Sequence, residues 1–194
     1  MGNIDTITYK VKDINRYKTQ SVKKQIIVCP SQRKSNYHIS RLIHKEFGKT
    51  KRWNTFTIAR DGTIYQHYDT KYHSDFLGIK EVDKQSISIV LENMGCLFKT
   101  TSDVYINWLN EECEEKNVAV KQWFGFTYWE NFTDKQIKSL IFLCDFLSEK
   151  HSIPKKIIDF GDYHKDSVKF KGLLFRSNFF ENSSDRNPLL QKLL

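Results

Sequence analysis

Proline, glycine and long apolar runs are all scarce in this chain. It has 194 residues with only 3 prolines and 8 glycines, which argues against a linker-rich or low-complexity protein. No stretch approaches the roughly 18 consecutive apolar residues of a membrane-spanning helix. The segment 1–11 also lacks the apolar centre of a secretory signal. We therefore expect a globular protein that is made soluble in a host cytoplasm and that needs another agent to deliver it to any cell wall.

Cysteine is also sparse, and its spacing excludes two common kinds of site. The four cysteines are Cys29, Cys96, Cys113 and Cys144, and none forms a C-x-x-C pair. A zinc ribbon or a thioredoxin-type redox motif is therefore not expected. Cys144 falls on the apolar face of a predicted helix, where we expect a buried free thiol.

Aromatic residues and positive charge are plentiful instead. Aromatics make up 14% and hydrophobic residues 39% of the chain, which is enough for one packed domain. The net charge is +8 and the pI about 9.2, which favours acidic polymers as partners, such as nucleic acid, membrane surfaces or a bacterial wall. A dispersed, solvated lysine surface would give the same charge. The aromatic segment 123–129 could stack bases, although arginine is not interleaved with it.

The first half of the chain alternates strand signals with one helix signal. An apolar run over 24–29 stops at Pro30 and predicts a buried strand, because proline cannot continue a central ladder. Apolar residues at helical spacing predict a helix over 37–47. Asp61-Gly62 between two β-type runs predicts a hairpin, and the run 86–92 predicts a further strand.

The second half is expected to hold the longest helix. Thr133 and Gln136 form a capping-box pattern at its start, and the helix is predicted to end near His151. Strands are predicted over 104–109 and 156–158, with an acidic loop at 111–115 and a loop-like tail after 158. The apolar helix face is predicted to consist of Ile137, Leu140, Ile141, Cys144 and Leu147.

These elements predict an α/β (α+β) fold with a single domain, in which a central mixed β-sheet is flanked by helices. Residues 1–23 are expected to form an N-terminal arm or edge strand, and residues 24–194 the domain itself.

One stretch of this order resembles a known family. A strand, the sequence Arg-Asp-Gly-Thr-Ile-Tyr-Gln over 60–66, a loop with His73 and the strand over 86–92 follow one another. This order resembles the zinc-dependent N-acetylmuramoyl-L-alanine amidases, which include phage lysozyme-amidases and peptidoglycan recognition proteins. The resemblance implies a mixed sheet with a long C-terminal helix. It also implies a peptidoglycan hydrolase that cleaves the amide between N-acetylmuramic acid and L-alanine, with peptidoglycan or a muropeptide as substrate.

The resemblance further implies a Zn²⁺ ion held by two histidines and one aspartate or cysteine, with water in the fourth position. Mapped onto this chain, the metal ligands are Cys29, His164 and Asp185. Another register would leave no histidine in the second position. Lys171 stands where some members carry a lysine that stabilises the oxyanion.

Further residues are expected in the substrate groove. His73 matches a histidine that lines this groove in relatives, and the neighbouring Asp75 could hold its tautomer. Where many relatives carry Tyr-His, this chain has Asn54 and Thr55, which cannot act as a general acid or base near neutral pH. The other predicted substrate-binding residues are Trp53, Asn54, His67 and Tyr68.

Three functions stay open on the sequence. The first is a zinc amidase, encoded by a phage. The second is an inactive protein on the same fold that binds peptidoglycan or serves as a virion component, in which case it would be found in the virion and contact virion proteins. The third is a regulator that binds nucleic acid or a polymerase.

Overall fold

The structure is a computed structural model that describes residues 4–11, 18–19, 22–34, 52–158, 163–181, 183, 185 and 187–190. The helix predicted over 37–47 lies outside these residues. In chain order the elements are β1 (Ile4–Asp5), β2 (Lys18–Thr19), β3 (Gln25–Pro30), β4 (Phe56–Ile58), β5 (Ile64–Gln66), β6 (Tyr72–His73), α1 (Lys80–Gln85), β7 (Ser86–Leu91), β8 (Cys96–Lys99), β9 (Tyr105–Ile106), β10 (Glu112–Cys113), β11 (Val118–Trp123), β12 (Phe126–Glu130), α2 (Asp134–His151) and β13 (Gly172–Phe175).

A six-stranded mixed sheet forms the centre of the fold. Its strand order is β1-β5-β4-β7-β3-β13. Neighbours in the run β4-β7-β3-β13 are parallel, whereas β4 and β5 form an antiparallel pair. Every residue of β3 and β7 is buried, as expected for parallel strands covered on both faces. The predicted mixed α/β sheet and both of these strands are confirmed.

The predicted hairpin is formed by β4 and β5, with Phe56 opposite Gln66 and Ile58 opposite Ile64. Gly62 supplies the positive φ of the turn, at +88°. A Cβ at this position would lie 2.9 Å from the Cβ of Lys135, so the turn packs directly against the start of α2.

Helix α2 begins and ends where the sequence predicts. The Thr133 side chain accepts a hydrogen bond from the Gln136 amide, and the Gln136 side chain accepts one from the Thr133 amide. The predicted apolar face was wrong at Ile141, which is 44% exposed. Leu143, which was not predicted for this face, is fully buried. The helix residues that pack in the core with the sheet are Leu140, Leu143, Cys144 and Leu147.

The predicted last strand was wrong. Residues 156–158 contribute only an isolated bridge between Ile157 and Leu173. The last strand of the sheet is instead β13, which lies in the segment predicted to be loop-like. Gly172 permits this pairing, because a Cβ there would lie 2.3 Å from the Lys156 carbonyl oxygen.

A second sheet, entirely antiparallel, has the order β10-β9-β8-β12-β11. The aromatic segment 123–129 forms the tip and second strand of its β11–β12 hairpin. Part of the acidic segment predicted as a loop forms β10, and the strand predicted over 104–109 is limited to β9. Within the described part of the chain, none of the helices has the length and apolar character needed to cross a membrane.

Candidate functional site

A cavity of about 340 Å³ opens at the carboxyl edge of the central sheet. Parallel strands bring their carboxyl ends to one edge, and in open α/β sheets this edge is where ligands bind. Here β3 ends at Pro30, and Arg176 comes directly after β13. We call this space the Arg176 cavity; its lining residues are Cys29, Pro30, Ser31, Gln32, Arg33, Arg52, Phe76, Val90, Trp108, Arg176 and Asp185.

An ion pair between Arg176 and Asp185 lies in the wall of this cavity. Arg176 donates from Nη1 to Oδ2 of Asp185, which also accepts from the Ser183 hydroxyl at 3.2 Å. The Asp185 side chain is 9% exposed and that of Arg176 is 36% exposed. The guanidinium lies 5.0 Å from the centre of the Phe180 ring. The carboxylate is therefore enclosed, while part of the guanidinium faces solvent.

The Cys29 thiol is held in its protonated form when no metal is bound. Burial raises the pKa of its thiol to about 11, although the Arg176 guanidinium acts in the opposite direction. The thiolate is the form that binds metals and attacks electrophiles, and near neutral pH it is scarce at such a pKa.

The rim of the cavity is held by contacts around Trp108. Its indole Nε1 donates to the Gln32 carbonyl at 3.0 Å. The Arg33 guanidinium lies 4.5 Å from the indole centre, within the range of a cation–π contact. The strand end below is fixed by Ser31, whose amide donates to the Leu91 carbonyl at 2.8 Å.

The three expected zinc ligands do not come together. Cys29 and Asp185 line the Arg176 cavity, whereas His164 is exposed on the segment that leads to β13. The backbone amide of His164 donates to the Asn178 carbonyl at 3.0 Å, and its Nδ1 accepts from the Asp166 amide at 3.3 Å. Among the described residues, no three His, Cys, Asp or Glu side chains form a group that could hold a metal ion.

The donor set that the described residues bring to the cavity therefore does not fit Zn²⁺. Asp185 already pairs with the Arg176 guanidinium, which is itself a cation. A divalent ion at this place would have to displace that guanidinium and deprotonate Cys29, and both steps oppose binding.

Lys171 lies at the opposite edge of the sheet from Cys29. In the parallel register Gly172 pairs with Gln25 and Phe175 with Val28. Lys171 therefore comes just before β13, whereas Cys29 lies beside the other end of that strand. The two backbone positions are separated by roughly 16 Å, at about 3.3 Å per residue. The exposed ammonium group of Lys171 does not line the Arg176 cavity.

The residues predicted for the substrate groove lie inside the protein. His67 is fully buried; Nε2 lies 2.7 Å from the Thr57 hydroxyl and Nδ1 lies 2.9 Å from the Tyr9 carbonyl. The Tyr68 hydroxyl donates to the Trp53 carbonyl at 3.0 Å. In this arrangement these side chains connect the N-terminal segment to the sheet.

The remaining predicted residues lie in the same part of the molecule. The side chain of Asn54 is buried, and its Nδ2 donates to the Phe56 carbonyl at 2.6 Å. His73 is 6% exposed and belongs to β6, which pairs with β2. Asp75 is half-buried near Asp83, and burial is the largest influence that raises the pKa of Asp83. Their roles in catalysis and substrate binding stay predictions.

Apart from Cys29 and Asp185, the lining residues of the cavity were not predicted as site residues, among them Arg33, Arg52, Trp108 and Arg176. The signal that could have identified Arg176 is the apolar run Gly-Leu-Leu-Phe over 172–175 just before it. A buried strand assigned there would have placed Arg176 at the carboxyl edge, next to Cys29. Asn178, two residues further on, has a structural role, since its side chain accepts from the Phe175 amide at 2.7 Å.

Solved structures share this fold at low sequence identity. One is the N-acetylmuramoyl-L-alanine amidase LysC from Clostridium intestinale, 16% identical over 98% of this chain and 95% of that one, with a TM-score of 0.54. Another is Drosophila PGRP-LB, 13% identical over 99% and 92%, with a TM-score of 0.55. A third is the Staphylococcus aureus hydrolase AmiA in complex with its ligand, 8% identical over 93% and 71%, with a TM-score of 0.53.

Curated protein sequences give no match to this chain. The sequence model of the N-acetylmuramoyl-L-alanine amidases, in contrast, matches residues 17–171, which is most of the chain. This segment contains β3, the hairpin of β4 and β5, β7 and α2, and it ends just before β13. On this match and this fold, the chain belongs to the N-acetylmuramoyl-L-alanine amidase family.

Proposed function

We propose that this protein binds peptidoglycan or its muropeptide fragments in the Arg176 cavity. The observation that carries the proposal is the place of this cavity, at the carboxyl edge of the sheet in an amidase-family fold. Its volume of about 340 Å³ is at the small end of the range for ligand sites, which suits a fragment of one sugar and a short peptide.

The chemistry of the lining also suits such a fragment. Trp108 is 52% exposed at the rim and offers an aromatic face to the apolar side of a sugar or peptide. Arg33, Arg52 and Arg176 offer guanidinium groups, and stem peptides carry carboxylates. Recognition of this kind needs no metal ion.

The first test is calorimetric titration of the protein with a purified muramyl peptide. We expect saturable binding, weakened about tenfold by Trp108→Ala, because an aromatic side chain that the ligand covers on binding contributes more than about 1 kcal/mol. Phe124→Ala is the matched control, since Phe124 is 48% exposed on the β11–β12 turn and does not line the cavity. The proposal would be overturned if Trp108→Ala and Phe124→Ala lost affinity for the muramyl peptide equally, or if the wild type did not bind it.

Amide hydrolysis is the second candidate function, and family membership favours it. A phage origin and a lytic role belong to this candidate. Cleavage would need an activated water, yet the cavity pairs its one carboxylate with Arg176 and keeps Cys29 protonated near neutral pH. We therefore expect no stem peptide to be released from peptidoglycan, as followed by chromatography. Release that is lost in Asp185→Asn would make the protein an amidase.

A nucleic-acid partner has less support. The segment 123–129 lies in the second sheet, and its positive neighbour Lys121 lies 5.6 Å from the centre of the Trp123 ring. The charge of +8 alone predicts only weak, salt-sensitive attraction to polyanions.

A further inference from the structure

The Arg176 cavity carries an excess of positive charge. Among the described residues that line it, three are arginines, Arg33, Arg52 and Arg176, and one is acidic, Asp185. The lining therefore has a formal charge of +2, concentrated around one small space.

The Arg176 guanidinium is arranged to bind a second oxyanion besides Asp185. A guanidinium has five N–H donors in one plane, and Asp185 takes a hydrogen bond from Nη1. The Phe180 ring lies 5.0 Å from its central carbon. Since 36% of the Arg176 side chain is exposed against 9% of Asp185, the accessible partner in the pair is the cation.

Arg33 and the rim are fixed before any ligand arrives. The Arg33 guanidinium lies over Trp108, whose indole is itself bound to the Gln32 carbonyl at 3.0 Å. The strand end beside them is held by the Ser31 amide, which donates to the Leu91 carbonyl at 2.8 Å. Groups that are already positioned lose less entropy on binding than mobile ones do.

We propose that the Arg176 cavity is an oxyanion receptor in which Arg176, Arg33 and Arg52 together bind a carboxylate or phosphate group of the cell wall. This inference rests on the proposed function and names the chemistry that the site recognises. Carboxylates occur in stem peptides and phosphates in acidic wall polymers, and a guanidinium can bind either group with two parallel hydrogen bonds.

The test compares three probes by calorimetric titration at low salt: a muramyl peptide with free carboxylates, the same peptide with its carboxylates amidated, and glycerol phosphate. We expect the free peptide or glycerol phosphate to bind at least about tenfold more tightly than the amidated peptide, because a hydrogen bond to a charged group contributes about 1.5–3 kcal/mol.

The variants remove one cation at a time. Arg52→Met alters an exposed residue, and the double variant Arg176→Met/Asp185→Asn avoids leaving a carboxylate without its partner. Both should lose at least about tenfold in affinity for the charged probe. Lys138→Met is the control for Arg52→Met, because it removes one positive charge from an exposed site on α2, outside the cavity, whereas the double variant leaves the net charge unchanged.

The outcomes separate this inference from the proposed function. If free and amidated peptides bind equally, the protein recognises muropeptides but the oxyanion receptor is overturned. If only glycerol phosphate binds, the receptor stands with phosphate as its source and the muropeptide function fails. If no probe binds, or if Lys138→Met loses as much affinity as the cavity variants, the receptor is overturned.

Discussion

Single residues at the ends of β3 and β13 decide what the Arg176 cavity can do. Cys29 and Asp185 were predicted as metal ligands from the family resemblance, and both do line one cavity. Arg176, which was not predicted, pairs with Asp185 and supplies a fixed positive charge where two ligands were expected. The proposed oxyanion receptor depends on this one side chain, because a fixed cation favours an anionic partner.

The first prediction at this scale concerns thiol reactivity. All four cysteines are free and buried, and burial raises the pKa of Cys29 to about 11 and that of Cys144 to about 12. Because the thiolate is the reactive form, we expect little reaction of the native protein with Ellman's reagent at pH 8, and four thiols after unfolding. A rapidly reacting thiol that disappears in Cys29→Ser would contradict this account of the cavity.

The second prediction concerns Lys23, whose ammonium group is buried. It donates to the carbonyls of Tyr72 at 3.1 Å and Lys84 at 3.2 Å, and burial lowers its pKa from 10.5 to about 8. The unfolded chain holds this proton more tightly, so the contribution of Lys23 to stability improves as pH rises from about 8 to 10.5.

Urea titrations at several pH values measure this contribution as the difference between wild type and Lys23→Met. Between pH 8 and 10.5 we expect the free energy of unfolding of the wild type to rise by up to about 3 kcal/mol relative to that of the variant. Below pH 7 we expect the difference between the two proteins not to change with pH. The comparison cancels the opposing ionisation of the cysteines. A difference that stays constant with pH would contradict the assigned burial of Lys23.

Among the secondary-structure elements, β13 places Arg176 in the cavity wall and depends on Gly172. The φ of Gly172 is +140°, and an added Cβ would lie 2.3 Å from the Lys156 carbonyl oxygen. Gly172→Ala should therefore reduce the free energy of unfolding by about 3 kcal/mol or more, measured by urea denaturation. The matched control is Gly125→Ala, whose φ is +83° but whose Cβ would have no neighbour within 4 Å.

We expect Gly125→Ala to cost only about 1 kcal/mol, because it adds backbone strain without a clash. Equal losses in the two variants would show that backbone strain alone, rather than close approach to Lys156, makes Gly172 necessary.

Prediction from sequence succeeded where a local pattern decides the element. The Asp61-Gly62 turn and the Thr133 capping box carry their own signals, and both are confirmed. It failed at β13, because four residues are too few for a periodic signal and their burial comes from pairing with the distant β3. Arg176 was missed for the same reason, since it lies in the cavity only because β13 pairs with β3.

At the scale of the whole molecule, the proposed receptor lies at the carboxyl edge of the sheet in an amidase-family fold. Cations on the lining should make binding of an anionic muropeptide sensitive to salt. We expect affinity to fall several-fold when ionic strength rises from about 0.01 M to 0.15 M, measured by calorimetric titration, and to fall less for the amidated peptide. If the affinities for the two peptides depend equally on salt, the carboxylates of the peptide do not contribute to recognition.

The most direct test of the central claim is titration of the metal-free protein with a muramyl peptide, once with a chelator present and once with added zinc. Recognition by the arginines of the Arg176 cavity predicts the same saturable binding in both conditions, with no zinc retained by the protein after dialysis. Binding that requires zinc, together with about one tightly held zinc ion per chain, would contradict the account and restore the metal site expected from the family.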